Sequence, residues 1–320
     1  MDRTTRRSAR ESGNFTPMTN LLKGCLVTVV FVAVLVECTL VFDDQGKGRE
    51  AGGWPRPAES EVGSEPVELT LSQLRPRING KGPFRFGFDT GQSPAALVSQ
   101  ELVERLNLPV VSQVTLGDGS RQNSSKVDVV RVETIELGGA VFRGIDAVVW
   151  SGEGDGSLGY SLFGHCLLTV DVGSNRLRLA HGELPEPDGQ EVLPLKHDHG
   201  TPCVDVEMGQ RTIPLVIDSG FGQAFFALPS HYAEELPLVR DPVAVGQATT
   251  LFNPFEIKAA RLEGIARIGP HEIENPDIFF NEHLAFAILG KRCLRRFIVT
   301  FDAAHSRVRF ERREARERDR

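Results

Sequence analysis

Cysteine is scarce in this chain, with five in 320 residues, and Cys25 and Cys38 lie in or beside an apolar run near the N-terminus. The remaining three, Cys166, Cys203 and Cys293, show no disulfide framework and no metal-ligand spacing. Buried free thiols are the expected state, with a single disulfide left open if the chain works outside the cytoplasm. Concentrated positive charge is also missing: 36 Lys and Arg stand against 43 Asp and Glu, net −7, and the basic residues are scattered. That excludes a nucleic-acid surface except at the basic ends, and the tail at 312–320 reads as a solvated segment. Long helical periodicity is absent, and so is any repeat of 20 to 50 residues, which excludes a solenoid. His197 and His199, in "KHDHG", have no third ligand at a suitable spacing. No metal and no cofactor are expected.

One long hydrophobic run is present. After a basic segment at 1–23, residues 24–36 carry no charge, and counting on to Phe42 gives nineteen residues containing one acid, Glu37. The 24–42 segment is a signal peptide or a membrane anchor, the latter slightly favoured with the N-terminus inside; a start at Met18 would favour the former. Residues 43–66 are polar and rich in Gly, Pro and acids, the composition of a flexible linker. Folded sequence is expected from about Val67.

From there the chain repeats itself. "FDTGQS" at 88–93 and "IDSGFG" at 217–222 each follow a hydrophobic strand, and each is followed by a Leu-Gly pair. Asp89 to Asp218 spans 129 residues, Gly159 to Gly290 spans 131, and Asp171 to Asp302 spans 131. A lone Asp-Ser-Gly is more often a surface turn than a site. Two in register mark a duplicated unit, with one lobe at 67–181, a linker at 182–191 and a second lobe at 192–311. Within each lobe short strands rich in Val, Ile, Leu and Phe alternate with Gly, Asn-Gly and Asp-Gly turns, so the fold class is all-β. Brief helices are expected at 99–108 and 229–238, behind each Asp loop. A hairpin tip is expected at 117–126, with a less regular counterpart within 244–262. Asp171 and Asp302 read as turn or strand-end residues.

These elements resemble the aspartic peptidase superfamily, in the two-lobed single-chain form related to pepsin and the retroviral peptidases. The resemblance spans roughly 67–311 and rests on hydrophobic-Asp-(Thr/Ser)-Gly in each half and on the later "SLGYSLF" and "ILGKRCL". The short lobes bring it closer to a fused retropepsin-like chain than to pepsin. It implies a bilobal acid-protease fold with two pseudo-twofold-related, β-barrel-like lobes, and a monomer hydrolysing peptide or protein substrates. Asp89 and Asp218 would be the catalytic pair, holding one water. Thr90 and Ser219 would each hydrogen-bond across to the opposite loop, and Gly91 and Gly220 would allow those loops to approach. Asp118, Gly119 and Ser120 are the flap candidates, acting without a flap tyrosine because Tyr160 and Tyr232 lie elsewhere. Nucleic acid is not an expected partner; a membrane is, through the N-terminal apolar run.

Departures from the family pattern also carry expectations. Where pepsin-like enzymes place a hydroxyl three residues after each Asp, this chain has Gln92 and Phe221. Losing a donor to the ionised form raises the pair's apparent titration, so a mildly acidic optimum is expected. Ser157 replaces a branched apolar residue, and Gly222 differs from Ser93. This uneven symmetry keeps a second reading open, a peptide-binding protein on the same fold with weak or no turnover.

Overall fold

In each half the strand leading into the Asp loop runs parallel to the strand leading to Leu-Gly, and that pairing organises both halves of the molecule. In the computed structural model, which describes residues 57–117, 124–152, 154–198, 200–222, 224–249 and 254–313 together with the backbone of 40–42, Phe86–Asp89 lies parallel to Gly156–Gly159 with Asp89 opposite Gly159. In the second half Arg211–Ile217 lies parallel to Ala287–Leu289, with Ile217 opposite Leu289. The strand following each Asp loop, Ala96–Ser99 or Phe226–Pro229, pairs antiparallel on the other side of the Leu-Gly strand. Gly159 N–H bonds to Ala95 O and Gly290 N–H to Phe225 O, both at 2.9 Å. This contact explains the repeated glycine: a Cβ would lie 2.1 Å from Pro94 O at Gly159 and 2.7 Å from Ala224 O at Gly290.

Around these triplets the halves build matching sheets. The first adds a meander of Val110–Gly117, Ser124–Leu137 and Ala140–Trp150. Its second turn is Gly138-Gly139, both at positive φ (60° and 100°), a region that favours glycine. The second half places a shorter hairpin, Val243–Thr249 with Pro254–Arg261, in the corresponding position. Both tips, 118–123 and 250–253, lie outside the described residues, so the flap candidates Asp118, Gly119 and Ser120 do too.

A third, six-stranded sheet belongs to both halves. Its order is Val192–Pro194, Arg307–Arg312, Phe297–Asp302, Leu167–Asp171, Arg176–Ala180, Val67–Thr70. At its centre Thr169 faces its own repeat equivalent, Thr300, with the two Oγ1 atoms 3.0 Å apart. The architecture is all-β and acid-protease-like. The core follows the shared sheet: one cluster runs continuously from Val62 to Phe310, and a smaller one around Cys203, Phe221 and Ile288 backs the second Asp loop. Phe142, Phe163, Phe226, Phe280, Phe297 and Phe301 are fully buried, each stabilising by about 1.5 to 3 kcal/mol relative to exposure.

The structure adds detail at several segments read from the sequence. Residues 57–66, inside the segment read as a flexible linker, take part in the fold. Glu59–Glu61 is a strand along Val141–Arg143, Ala58 N–H bonds to Arg143 O, and Val62 enters the core. Polar composition concealed it because the strand is short and charged, a common form for a sheet edge. Leu40–Phe42, at the end of the apolar run, pairs with Thr115–Gly117. Among the described residues no helix is long and apolar enough to cross a membrane. The inter-lobe linker is pinned: Leu184 is buried, its N–H bonds to Asp302 Oδ2 at 2.9 Å, and Arg307 reaches both Leu184 O and Glu186. Gln100–Leu106 is an α-helix, its N-cap Ser99 accepting from Leu102 N and its C-cap Asn107 left-handed. Its counterpart is only a 3-10 turn, Ser230–Glu234, entered from Pro229 without a side-chain cap.

Candidate active site between the halves

The two Asp loops meet where parallel strands end, and their residues interlock. Asp89 and Asp218 are 3% and 1% exposed, among Thr90, Gln92, Ser93 and Ser219, which are all buried. Thr90 N–H donates to Ser219 Oγ at 3.0 Å, and Ser219 N–H donates to Thr90 Oγ1 at 2.9 Å. Thr90 Oγ1 in turn donates to Ile217 O at 2.6 Å, on the strand that delivers Asp218. The lock therefore ties each loop to the backbone of the other half. Its role is geometric: neither hydroxyl need react for it to fix where the carboxylates point.

Backbone amides orient the acids. Asp89 Oδ1 accepts from Gly91 N–H at 2.9 Å and from Gly220 N–H at 3.0 Å. Asp218 Oδ1 accepts from Gly220 N–H and Phe221 N–H, both at 2.8 Å. Gly220 N–H is thus shared by one oxygen from each Asp, and those oxygens can be no farther apart than the two bonds laid end to end. The glycines make this approach feasible. A Cβ on Gly91 would lie 2.5 Å from Asp218 Cγ, and one on Gly220 would lie 2.4 Å from Asp89 Oδ2. Burial disfavours charge on both acids, whereas the amide donors favour the ionised form, a combination suited to one negative charge and one proton over the pair.

Gln92 and Phe221 have other tasks. Gln92 Nε2 donates to Pro94 O at 2.8 Å and reaches Ser157 O at 3.5 Å, bracing the loop against the Leu-Gly strand. Phe221 is buried in the cluster behind Asp218. Ser157 is itself buried, and the space above Gly87 leaves its Oγ 3.6 Å from where a Cβ would stand. Two supports escaped the sequence reading. Ser161 Oγ donates to Ser93 O at 3.1 Å, steadying the end of the first Asp loop. Tyr160 OH lies 3.2 Å from His197 Nε2, joining the residue after Gly159 to the first strands of the second half. The spacing of Ser161 after "SLGY" gave no signal for its partner, which is a backbone carbonyl 68 residues earlier. His199 lies outside the described residues.

No protein of established annotation matches this chain. Residues 74–162 match the model of a protein family described as aspartyl protease. The matched stretch contains Asp89-Thr90-Gly91 and Leu158-Gly159, and it supports placing the chain with an aspartic peptidase family.

Proposed function

We propose that this protein is an aspartic endopeptidase that hydrolyses peptide bonds with a water held between Asp89 and Asp218. The observation that carries this reading is the Gly220 N–H shared by an oxygen of each Asp. Two buried carboxylates held so near do not both ionise, and the pair keeps one proton. The ionised member takes a proton from water as its oxygen attacks the substrate carbonyl carbon. The protonated member gives its proton to the carbonyl oxygen. Collapse of the resulting diol breaks the C–N bond, and the proton taken from water passes to the leaving amine. Thr90 and Ser219 position the pair, and Gly91 and Gly220 leave room for it. The tip at 118–123, with Asp118, Gly119 and Ser120, is the proposed cover for an extended substrate.

The remaining assignments are part of the same proposal. The chain works as a monomer, since it supplies both halves of the site. The N-terminal apolar run exports it or anchors it, leaving the peptidase part outside the cytoplasm. With Gln92 and Phe221 in place of hydroxyl donors, activity is expected to peak at mildly acidic pH; a maximum near pH 2 would contradict this. The test is digestion of a mixed peptide library at several pH values by the parent, Asp89→Asn and Asp218→Asn. Cleavage by the parent alone supports the peptidase, with a loss of roughly 10²- to 10⁴-fold or more in each variant. Peptide binding without cleavage by any of the three supports the binding-protein reading instead.

A further inference from the structure

Each half carries one cross-strand ion pair at a matching place in its sheet. Arg131 faces Asp146 in the first, with Nη2 2.9 Å from Oδ1. Arg261 faces Asp277 in the second, with Nε and Nη2 both 3.0 Å from Oδ1. The second pair has two further arginines beside it. Arg292 Nη1 stands 3.5 Å from Asp277 Oδ2, and Arg296 has no acid within ion-pair reach among the described residues.

Arg292 lies in the short helix Lys291–Leu294 that follows Gly290, and Arg296 lies just beyond it. Their guanidinium carbons stand 4.5 and 4.6 Å from the centre of the Phe225 ring. Phe225 is buried, whereas both arginines are exposed. Two like charges drawn to one ring repel each other, and an anion between them would remove that cost.

Nothing in the fold calls for this arrangement, because the first half builds the same turn without it. Gly159 N–H bonds to Ala95 O just as Gly290 N–H bonds to Phe225 O. At the positions matching Phe225, Arg292 and Arg296 the first half has Ala95, Ser161 and His165. There Ser161 and His165 meet the backbone carbonyls of Ser93 and Pro57.

We infer that Arg292 and Arg296, gathered on the Phe225 ring, form a binding site for a phosphate group. Three arginines share one acid, Asp277, which leaves two positive charges over. That matches the charge of a phosphate group near neutral pH. Each guanidinium offers paired N–H donors to phosphate oxygens, a geometry that lysine does not provide. The site shares no residue with the Asp pair and does not rest on the peptidase reading. Free phosphate and a phospholipid headgroup present the same chemistry, and the test separates them.

The full-length protein is heated at pH 7 in rising potassium phosphate, with ionic strength held constant by potassium chloride. A saturable rise in the unfolding midpoint over chloride alone is expected. Joint Arg292→Gln and Arg296→Gln replacement should weaken phosphate about tenfold. Arg105→Gln, which removes a lone guanidinium 5.2 Å from Phe84, should leave it unchanged. Asp277→Asn removes the competing acid and should tighten phosphate about threefold, which a merely structural role for the arginines would not produce. If the double variant does not fold, Arg296→Lys keeps the charge without the fork and should still weaken phosphate. In a second arm the protein is sedimented with phosphatidylcholine vesicles, with and without phosphatidic acid. Binding common to both vesicles belongs to the apolar run. Binding that needs phosphatidic acid and both arginines, without a response to free phosphate, assigns the headgroup; the reverse assigns the free ion. Absence of both responses, or responses unchanged in the arginine variants, would overturn the inference.

Discussion

Thr90 and Ser219 hold one another by reciprocal backbone-to-hydroxyl bonds, each N–H donating to the other's side-chain oxygen. Thr90→Val keeps the shape but deprives Ser219 N–H of its acceptor and Ile217 O of its donor. Each buried group left unpaired costs about 1 to 3 kcal/mol. We expect a matching loss in urea unfolding, with kcat falling more than KM. Thr90→Ser retains the hydroxyl and should behave as the parent in both measurements. A neutral Thr90→Val would show that the lock does not position the site.

Gly220 is expected to be the least replaceable residue of the second loop. An alanine there would drive its Cβ into the Asp89 carboxylate, and Gly91→Ala would do the same to Asp218. The clash is with a buried acid that cannot swing clear while Asp89 Oδ1 accepts two amides. Gly220→Ala should abolish peptide cleavage. Far-UV circular dichroism should stay near that of the parent, because the sheets on either side remain intact.

Asp188 should titrate below its usual value of 3.8, held there chiefly by the Val192 amide, then by that of Gln190, with that of Glu191 adding less. The lowered folded value means that the turn's stabilising contribution is complete above 3.8 and is lost as pH falls through the folded value. The Val192 amide resonance, followed by NMR from pH 6 downward, should move with a midpoint under 3.8. Asp188→Asn should flatten that curve. A midpoint at or above 3.8 would show that the turn does not hold the carboxylate.

Cys166, Cys203 and Cys293 are buried free thiols pushed up to about 12, in each case chiefly by burial. A thiolate is the reactive form, so iodoacetamide at pH 8 should leave these three unmodified in the native protein and alkylate them in urea. Mass mapping of tryptic peptides reads each site separately. Rapid native labelling of Cys293 would contradict its place in the core.

Much of the site was legible because duplication repeats constraints as well as residues. Asp, Gly and Leu-Gly recur in phase since both loops must pass over a glycine carrying no Cβ, Gly159 in one half and Gly290 in the other. What the repeat could not convey was its partnership with backbone. Gln92 looks like a lost hydroxyl in the sequence, whereas its amide braces Pro94 O. Glu59–Glu61 looks like a polar tether because its pairing depends on main-chain groups and not on side-chain pattern. The 229–238 helix shortened because Pro229 enters it without a cap, a local effect that its apolar spacing outweighed on paper.

The seam around Thr169 and Thr300 brings like against like, with Leu168 opposite Phe301 and Val170 opposite Val299. A polypeptide holding just one half would therefore carry an edge able to recognise a second copy of itself. Splitting the gene within 182–191 would then yield fragments that seek partners in pairs, and the covalent fusion decides that each half meets the other and not its twin.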